Sequence, residues 1–239
     1  MPTAIVTGAA VRIGKALACR LADRGYDLAV HHCHSKPDDV LAYARSKGVK
    51  AKPYSVDLTD LSAAEKLIPD VLNDFPDVEV LVNSAANFIQ QNIEATTNET
   101  LNDTLHLNLM TPYLLMREYK RHVNRGLIVN ILDERILKNI PTFAAYSVAK
   151  VALAHATHLA AVEWGDTVRV NGIAPGLILP PPGHGDDYLT RNAPYVPTKT
   201  HGKVEDVAHG LDYLLTSRFV NGEVLFIDGG ESKARRSPQ

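Results

Sequence analysis

The sequence predicts an α/β protein with a doubly wound parallel sheet of seven strands. Short apolar runs alternate along the chain with helix-prone stretches, a pattern typical of parallel sheets that are covered by helices on both faces. The chain has 239 residues, enough for one α/β domain with an ample core. No repeat or low-complexity segment interrupts it, so we expect a single domain spanning residues 1–239.

Seven short segments are predicted to form the strands of this sheet. Stretches with helical character separate them, so that consecutive strands can lie parallel with a helix crossing between them. The predicted strands are Thr3–Thr7, Asp27–His31, a third strand ending at Val56–Leu58, Val78–Val82, Leu127–Ile131, Val168–Ala174 and Glu223–Ile227.

A glycine turn joins the first strand to an amphipathic helix, Lys15–Asp23. Gly8 permits the tight turn, and Gly14 lets the helix and the strand approach each other. This order of strand, turn and helix places a pyrophosphate at the helix N-terminus, so it predicts dinucleotide binding. Arg12 replaces the third glycine that is usual in such turns. We interpret it as a cation beside the phosphates or the substrate, the alternative being a solvent-exposed helix start.

The end of the second strand indicates which dinucleotide binds. An acidic residue there would bind the ribose 2′-hydroxyl of NAD, and none is present. Donors that suit a 2′-phosphate stand there instead, which favours NADPH as the cofactor. They are His31, His32, His34 and Ser35, followed by Lys36. The alternatives are a plain polar loop or a metal site with Cys33. Consecutive positions point in different directions, which disfavours the converging ligands of zinc, and we predict no metal.

The ends of the third and fourth strands supply more of the predicted cofactor site. Asp57 and Leu58 lie where a side chain and the backbone would meet the adenine. Asn83, Ser84 and Ala85 close the fourth strand. Small residues at this place would let the cofactor lie close to the backbone.

Tyr146 and Lys150 are predicted to share one face of a helix, because they are four residues apart in an alanine-rich segment. A phenol loses its proton near pH ~10. We expect the Lys150 ammonium to lower the pKa of Tyr146, which would make it an acid/base group near neutrality. Asp133 lies upstream, directly after the fifth strand, either as a catalytic group or as a loop residue that caps a turn.

Taken together, these motifs resemble those of the short-chain dehydrogenase/reductase family over essentially the whole chain. The matching residues are Thr7-Gly8-x-x-x-Arg12-Ile13-Gly14, Asp57, Asn83-Ser84-Ala85, Asn108, Tyr146-x-x-x-Lys150 and Pro175-Gly176. The resemblance implies a single-domain Rossmann fold, with Ile13, Pro175 and Gly176 at the cofactor.

The resemblance also implies roles for the catalytic residues. Tyr146 would be the acid/base group, and Lys150 would bind the nicotinamide ribose and lower the pKa of the tyrosine. Asn108 would support a proton relay. The alternative for Asn108 is a helix asparagine that faces the core.

Within this family, the chain looks most like the pteridine reductases and dihydromonapterin reductases, which carry aspartate in place of the catalytic serine. Asp133 precedes Tyr146 by 146 − 133 = 13 residues, the spacing of that branch. Arg12 and the histidines after the second strand also match it. In that branch an aromatic residue after the fourth strand stacks on the pterin, and Phe88 stands there. Otherwise Phe88 would be a core residue under a loop.

The chemistry of a C=N bond suits an aspartate at this position. An ionised carboxylate would repel the oxyanion that forms during carbonyl reduction. A pterin ring nitrogen must instead gain a proton, which a carboxylic acid kept partly protonated by burial can supply. A carboxylate also accepts hydrogen bonds from ring nitrogens.

The sequence therefore predicts NADPH-dependent reduction of dihydromonapterin or dihydrobiopterin, with dihydrofolate as a weaker substrate. Arg12, Phe88, Asp133 and Tyr146 would contact the substrate. One alternative is a carbonyl reductase acting on 3-oxoacyl thioesters or sugars. The other is an NADP-binding sensor without catalysis. Residues 177–200, which contain five prolines, would form the substrate loop, and loops of this length commonly act as lids.

Composition argues against several other classes of protein. A net charge of −2 gives no support for nucleic-acid binding, and no apolar run is long enough to span a bilayer. Two cysteines do not suggest a disulfide framework. The N-terminus enters its first strand at once, so we expect a cytoplasmic enzyme. The resemblance implies a homotetramer, paired through the helices after the fourth and fifth strands and through the last strand.

Overall fold

A computed structural model of the chain describes residues 1–185 and 187–234. Seven parallel strands form one sheet in the order β3-β2-β1-β4-β5-β6-β7. This confirms the predicted doubly wound α/β fold. The strands are β1 (Thr3–Val6), β2 (Asp27–His32), β3 (Ala51–Ser55), β4 (Val78–Asn83), β5 (Gly126–Ile131), β6 (Val168–Pro175) and β7 (Val224–Ile227).

Helices cover both faces of the sheet. They are α1 (Arg12–Asp23), α2 (Asp38–Ser46), α3 (Leu61–Asp74), α4 (Asn98–Leu105), α5 (Thr111–His122), α6 (Ala144–Trp164), α7 (Asp187–Asn192) and α8 (Val204–Thr216). A π-helical segment, His106–Met110, joins α4 to α5. Short 3₁₀ turns lie at Glu134–Leu137, Pro141–Phe143, Ala193–Tyr195 and Glu231–Lys233.

The apolar core forms two layers, one on each face of the sheet. Successive strand residues point to opposite faces, so Ala4 and Val6 join the layer under α1, α2 and α8, whereas Ile5 joins the layer under α3, α5 and α6. Because both faces are covered, the central strands β1, β4 and β5 are mostly buried and apolar, whereas β3 at the edge is largely exposed.

The strand order reverses at β1, which pairs with β2 on one side and with β4 on the other. In open parallel sheets, ligands bind outside the carboxyl ends of the strands at such a point. The predicted site residues follow the carboxyl ends of β1, β2, β4 and β5, so the topology brings them to one edge.

The structure differs from the predicted elements in several places. β3 ends at Ser55, before the predicted Val56–Leu58, and α1 begins at Arg12 instead of Lys15. α6 begins at Ala144 and continues to Trp164, well beyond the predicted segment. Residues 177–200 contain α7 and a 3₁₀ turn instead of being one continuous loop, and Asp186 in this segment lies outside the described residues. In the described part of the chain, no helix is long and apolar enough to cross a membrane.

Candidate active site

The glycine turn after β1 is tight enough to exclude side chains at two positions. Gly8 has a φ of +63°, and a Cβ there would lie 2.9 Å from Ala85 Cα. A Cβ on Gly14 would lie 2.2 Å from the Gly8 carbonyl oxygen. Both glycines are therefore required by close backbone approach, as the sequence predicts.

Thr7 joins the turn to the end of β4. Its hydroxyl oxygen accepts hydrogen bonds from the amides of Ser84 (2.9 Å) and Ala85 (3.0 Å). These bonds hold the two strand ends that flank the crevice at a fixed separation. Sequence reasoning assigned no role to the hydroxyl, because its partners lie 77 and 78 residues away.

Arg12 begins α1 with a left-handed backbone, at a φ of 55°. Glycine adopts this conformation at much lower cost, which agrees with its position in a turn that usually carries a third glycine. The side chain is exposed, and its Nη2 donates a hydrogen bond of 2.8 Å to the Pro180 carbonyl. Arg12 thus connects the glycine turn to the substrate loop. The neighbouring Ile13 is partly buried and packs on the core.

His31 corrects one of the predicted cofactor contacts. The side chain is 2% exposed; Nδ1 accepts a hydrogen bond from the Gly8 amide (3.0 Å), and Nε2 lies 3.0 Å from the Val56 carbonyl. This pairing requires the neutral tautomer with the proton on Nε2. Burial lowers the pKa of His31 to about 4. Since both nitrogens are engaged inside the protein, the prediction that His31 binds a 2′-phosphate is wrong.

Two of the remaining polar side chains after β2 stay accessible, and the third is only partly so. His34 and Ser35 are exposed, and His32 is half-buried with an Nδ1 that has no partner within the described residues. Asp57 lies beside them, and hydrogen bonds from Thr59 lower its pKa. These residues remain together where the adenosine end of a dinucleotide would lie.

Two predicted contacts are buried at the ends of strands. The Asn83 side chain is 3% exposed and donates to Asn130 Oδ1 at 2.8 Å, so its amide bridges β4 and β5. This side chain is therefore engaged inside the protein, and the predicted approach of the cofactor to the backbone at Asn83–Ala85 stays a prediction. Leu58 is also buried, and its carbonyl accepts from the Thr111 hydroxyl at 2.5 Å.

Tyr146 and Asp133 form a direct pair at the carboxyl edge of β5. The Tyr146 hydroxyl donates to Asp133 Oδ2 at 3.0 Å, and Asp133 Oδ1 accepts from the Arg135 amide at 2.9 Å. Asp133 therefore caps the following 3₁₀ turn and also holds the phenol. The cap confirms that Asp133 holds the turn, and a catalytic role for it stays a prediction.

The expected effect of Lys150 on Tyr146 is absent. Burial raises the pKa of Tyr146 well above its usual value, and Asp133 raises it further by its charge and its hydrogen bond. Lys150 Nζ instead donates to the Ile131 carbonyl at 2.7 Å and lies 5.6 Å from the centre of the Tyr146 ring. Burial lowers the pKa of Lys150 to about 8. The expected lowering of the Tyr146 pKa did not take burial and the Asp133 charge into account, and both raise it.

Asn108 lies in the π-helical segment between α4 and α5, a distortion often found at functional sites. It is fully buried, and its Nδ2 donates to Asn87 Oδ1 (2.6 Å) and to the Thr104 carbonyl (3.1 Å). Its Oδ1 has no partner within the described residues and is free to accept.

Phe88 is packed against a second aromatic ring that sequence reasoning missed. The Phe88 and Phe143 rings stack with centroids 4.1 Å apart, and Phe88 meets Tyr146 edge-on at 4.8 Å. The Arg135 guanidinium lies 5.0 Å and 4.9 Å from the centroids of Phe88 and Phe143. Both residues lie close in sequence to predicted site residues, which could have identified them. Phe143 precedes Tyr146 by three residues, and Arg135 follows Asp133 by two.

The turn after β6 is held by the C-terminal segment. The Gly176 amide donates to the Ile227 carbonyl at 3.0 Å. A Cβ on Gly176 would lie 2.5 Å from Glu231 Oε2, the same atom that accepts from the Leu177 amide at 2.8 Å. Pro175 ends β6 directly before this turn. The start of the substrate loop is thus fixed at the site.

No group of three or more histidine, cysteine, aspartate or glutamate side chains is placed to hold a metal ion in residues 1–185 and 187–234.

Residues 8–232 match the family model described as enoyl-(acyl carrier protein) reductase. The chain therefore belongs to the short-chain dehydrogenase/reductase family of oxidoreductases. It is 29% identical over 243 residues to an uncharacterized oxidoreductase of Thermotoga maritima, covering 95% of this chain and 96% of that protein. It is 26% identical to a 3-oxoacyl-[acyl-carrier-protein] reductase of Staphylococcus epidermidis, covering 95% and 98%.

A solved structure with a similar fold adds a third comparison. FolM alternative dihydrofolate reductase 1 from Brucella suis, in complex with NADP, superposes with a TM-score of 0.93 at 27% identity. The match covers 99% of this chain and 97% of that one.

Proposed function

We propose that this protein reduces dihydropterins to tetrahydropterins with NADPH as the hydride donor. The observation that carries the proposal is the 3.0 Å hydrogen bond from the Tyr146 hydroxyl to Asp133 Oδ2. It puts a carboxylate where a carbonyl reductase of this family needs a hydroxyl donor. Phe88 lies against Tyr146 and supplies an aromatic surface for a flat heterocycle. The similarity to the Brucella protein supports this substrate class.

The residues at the glycine turn fit NADPH. The N-cap residue of α1, Val11, makes no side-chain hydrogen bond to the first turn, which suits a helix N-terminus where a pyrophosphate is stabilised. His32, His34 and Ser35 provide polar groups without a carboxylate at the end of β2, which suits a 2′-phosphate. When bound, NADPH would supply a hydride from its nicotinamide. The presence of NADP in the Brucella suis structure supports this choice.

Tyr146 and Asp133 would supply or relay the proton that the reaction consumes. Reduction of a C=N bond adds a hydride to carbon and a proton to nitrogen. Because burial and Asp133 raise its pKa, Tyr146 keeps its proton and acts as a donor. Lys150 is fixed by the Ile131 carbonyl, so its other N–H groups can bind the ribose. Asn108 would continue the relay through its free Oδ1.

The test is NADPH oxidation with a panel of substrates side by side. The panel contains dihydromonapterin, dihydrobiopterin, dihydrofolate, a 3-oxoacyl thioester and an enoyl thioester. We expect pterin turnover that falls by about 10²- to 10⁴-fold in Asp133→Ala, the range of a lost acid/base group. Asp70→Ala, on the exposed surface of α3, is the matched control and should match wild type. Turnover of a thioester alone would refute the proposal, and NADPH binding without any turnover would favour a sensor.

A second candidate is a carbonyl reductase. The similarity to 3-oxoacyl-[acyl-carrier-protein] reductases favours it. In that case Asp133 would only cap the turn, and Asp133→Ser would raise ketone turnover by supplying the missing hydroxyl donor. For a pterin reductase, the same variant loses pterin turnover without gaining a ketone activity comparable to it.

We also propose a homotetramer in the cytoplasm. Within the described residues, α6, α5 and the end of the π-helical segment expose apolar side chains around a groove of about 370 Å³, which suits burial against a second copy. The exposed side chains are Met110, Tyr113, Val148, Val151, Leu159 and Val162. Among the alanines of α6, Ala154, Ala160 and Ala161 pack in the core, whereas Ala152 and Ala156 line the groove. Both cysteines are free, which suits a reducing compartment.

A further inference from the structure

The Arg135 guanidinium lies between the acid/base pair and the aromatic pair. Its Cζ is 5.0 Å from the centroid of Phe88 and 4.9 Å from that of Phe143. Its Nη1 is 3.7 Å from Asp133 Oδ2, and the side chain is 20% exposed. A positive charge therefore borders both the ring on which a heterocycle would stack and the carboxylate that would meet its edge.

Within the described residues, the protein does not satisfy the donors of Arg135. Nε is buried without a hydrogen-bond partner, and 3.7 Å to Asp133 is longer than a hydrogen bond. Buried donors without acceptors are costly and call for an explanation. Arg169 shows the contrast: its guanidinium donates to the carbonyls of Leu214, Ser217 and Val220 at 3.0, 3.2 and 2.9 Å. The guanidinium of Arg169 has a structural role because backbone carbonyls accept its hydrogen bonds, and Arg135 has no such acceptors within the described residues.

We propose that Arg135 is a substrate-binding residue that donates to the 4-oxo edge of a 2-amino-4-oxo pteridine; this inference rests on the proposed function. Asp133 beside it accepts from the ring N–H or the amino group. An acceptor and a donor held side by side match an edge on which N–H and C=O are neighbours. The planar guanidinium presents several N–H donors in a fixed geometry, which suits recognition of such an edge.

This arrangement makes Arg135 a determinant of specificity. A 2,4-diamino analogue carries an amino group in place of the oxo group. A guanidinium has no acceptor atom, so it cannot bind that amino group. A site built to hydrogen-bond one group rejects an analogue that lacks it, because its own polar atoms are left unpaired. Arg135 should therefore favour the oxo compound over its diamino analogue.

The experiment compares dissociation constants of 2-amino-4-oxo and 2,4-diamino pteridines for the NADP-loaded enzyme by calorimetry, together with kcat and KM for dihydromonapterin. Arg135→Met keeps the length of the side chain and its contact with the rings while removing every donor. We expect affinity for the oxo ligand to fall about tenfold or more, as for a lost charge-assisted hydrogen bond. Affinity for the diamino ligand should change by less than about threefold, because it makes no such bond.

Two further variants complete the design. Arg45→Met removes an exposed arginine from α2 and should keep the wild-type preference. Arg135→Lys keeps the charge beside Asp133 but lacks the Nε–H, and we expect it also to lose part of the preference for the oxo ligand. If thermal unfolding shows that Arg135→Met does not fold, Arg135→Lys tests instead whether Arg135 sets the preference for the oxo ligand.

Equal weakening of both ligands would show that Arg135 only supports the site, and it would overturn the inference. So would an unchanged preference in a variant that still turns over dihydropterin, and the proposed function would then stand. A wild-type enzyme that binds neither pteridine would overturn the inference and the proposed function together.

Discussion

His31→Gln should change how the stability of this protein depends on pH. His31 has a pKa of about 4 in the folded protein because it is buried, and about 6.5 when the chain is unfolded. Between these values the unfolded chain binds more protons, so stability falls as pH falls from 6.5 and stops falling below 4. From pH 7 to pH 5, this linkage removes about 2 kcal/mol from wild type and nothing from the variant.

We expect the difference in free energy of unfolding between wild type and His31→Gln to become smaller as the pH falls. At pH 7 the variant loses at least one of the two hydrogen bonds of the imidazole, at a cost of about 1 to 3 kcal/mol. That deficit should shrink by about 2 kcal/mol at pH 5, because wild type must then keep an unprotonated imidazole. Glu134 also titrates between pH 5 and pH 7, and its protonation raises stability as pH falls. Both proteins contain Glu134, so its contribution cancels in the difference between their free energies of unfolding.

Urea unfolding at pH 7 and pH 5, at one protein concentration, measures this difference. His209→Gln, on the exposed side of α8, removes an imidazole outside the buried network and serves as the control. An equal difference in free energy of unfolding between His31→Gln and wild type at both pH values would refute the reasoning. It would mean that the imidazole is not held neutral between the glycine turn and β3.

Two other predictions concern packing and charge. Gly14→Ala should abolish NADPH binding and lower stability by more than about 3 kcal/mol, because its Cβ would lie 2.2 Å from the Gly8 carbonyl oxygen. Thermal unfolding and cofactor fluorescence measure both effects, and near-wild-type values would contradict the close approach. Burial raises the pKa of Glu134, which pairs with Lys138, to about 7, so ionising it costs stability as pH rises. Glu134→Gln should therefore gain about 1 kcal/mol on wild type between pH 6 and pH 8 in urea unfolding, and an unchanged difference would contradict the raised pKa.

Part of the candidate site could be predicted from the sequence. The pair Tyr146 and Asp133 could be predicted, because one residue follows a strand and the other lies on a helix with its lysine. The direction of the pKa shift at Tyr146 could not, since it depends on how completely distant segments remove the phenol from water. Burial is the largest cause of the raised pKa there.

Side-chain direction explains the other corrections. His31 and His32 are neighbours in sequence, but side chains alternate along a strand, so they point to opposite faces. His31 meets Gly8 and Val56, whereas His32 stays partly exposed. The sequence identifies such donors, and only the packing of three segments decides which of them faces the crevice.

The sequence by itself determined the order of strands and helices, the glycine turn and the residue types at the carboxyl edge of the sheet. These depend on local patterns: apolar runs, glycines at a turn and residues one helical turn apart. The tertiary structure alone decided that Arg135 and Phe143 join Phe88, and that Lys150 binds the Ile131 carbonyl. Contacts of this kind depend on which loops meet in space and on what is shielded from water, and neither is encoded in any short segment.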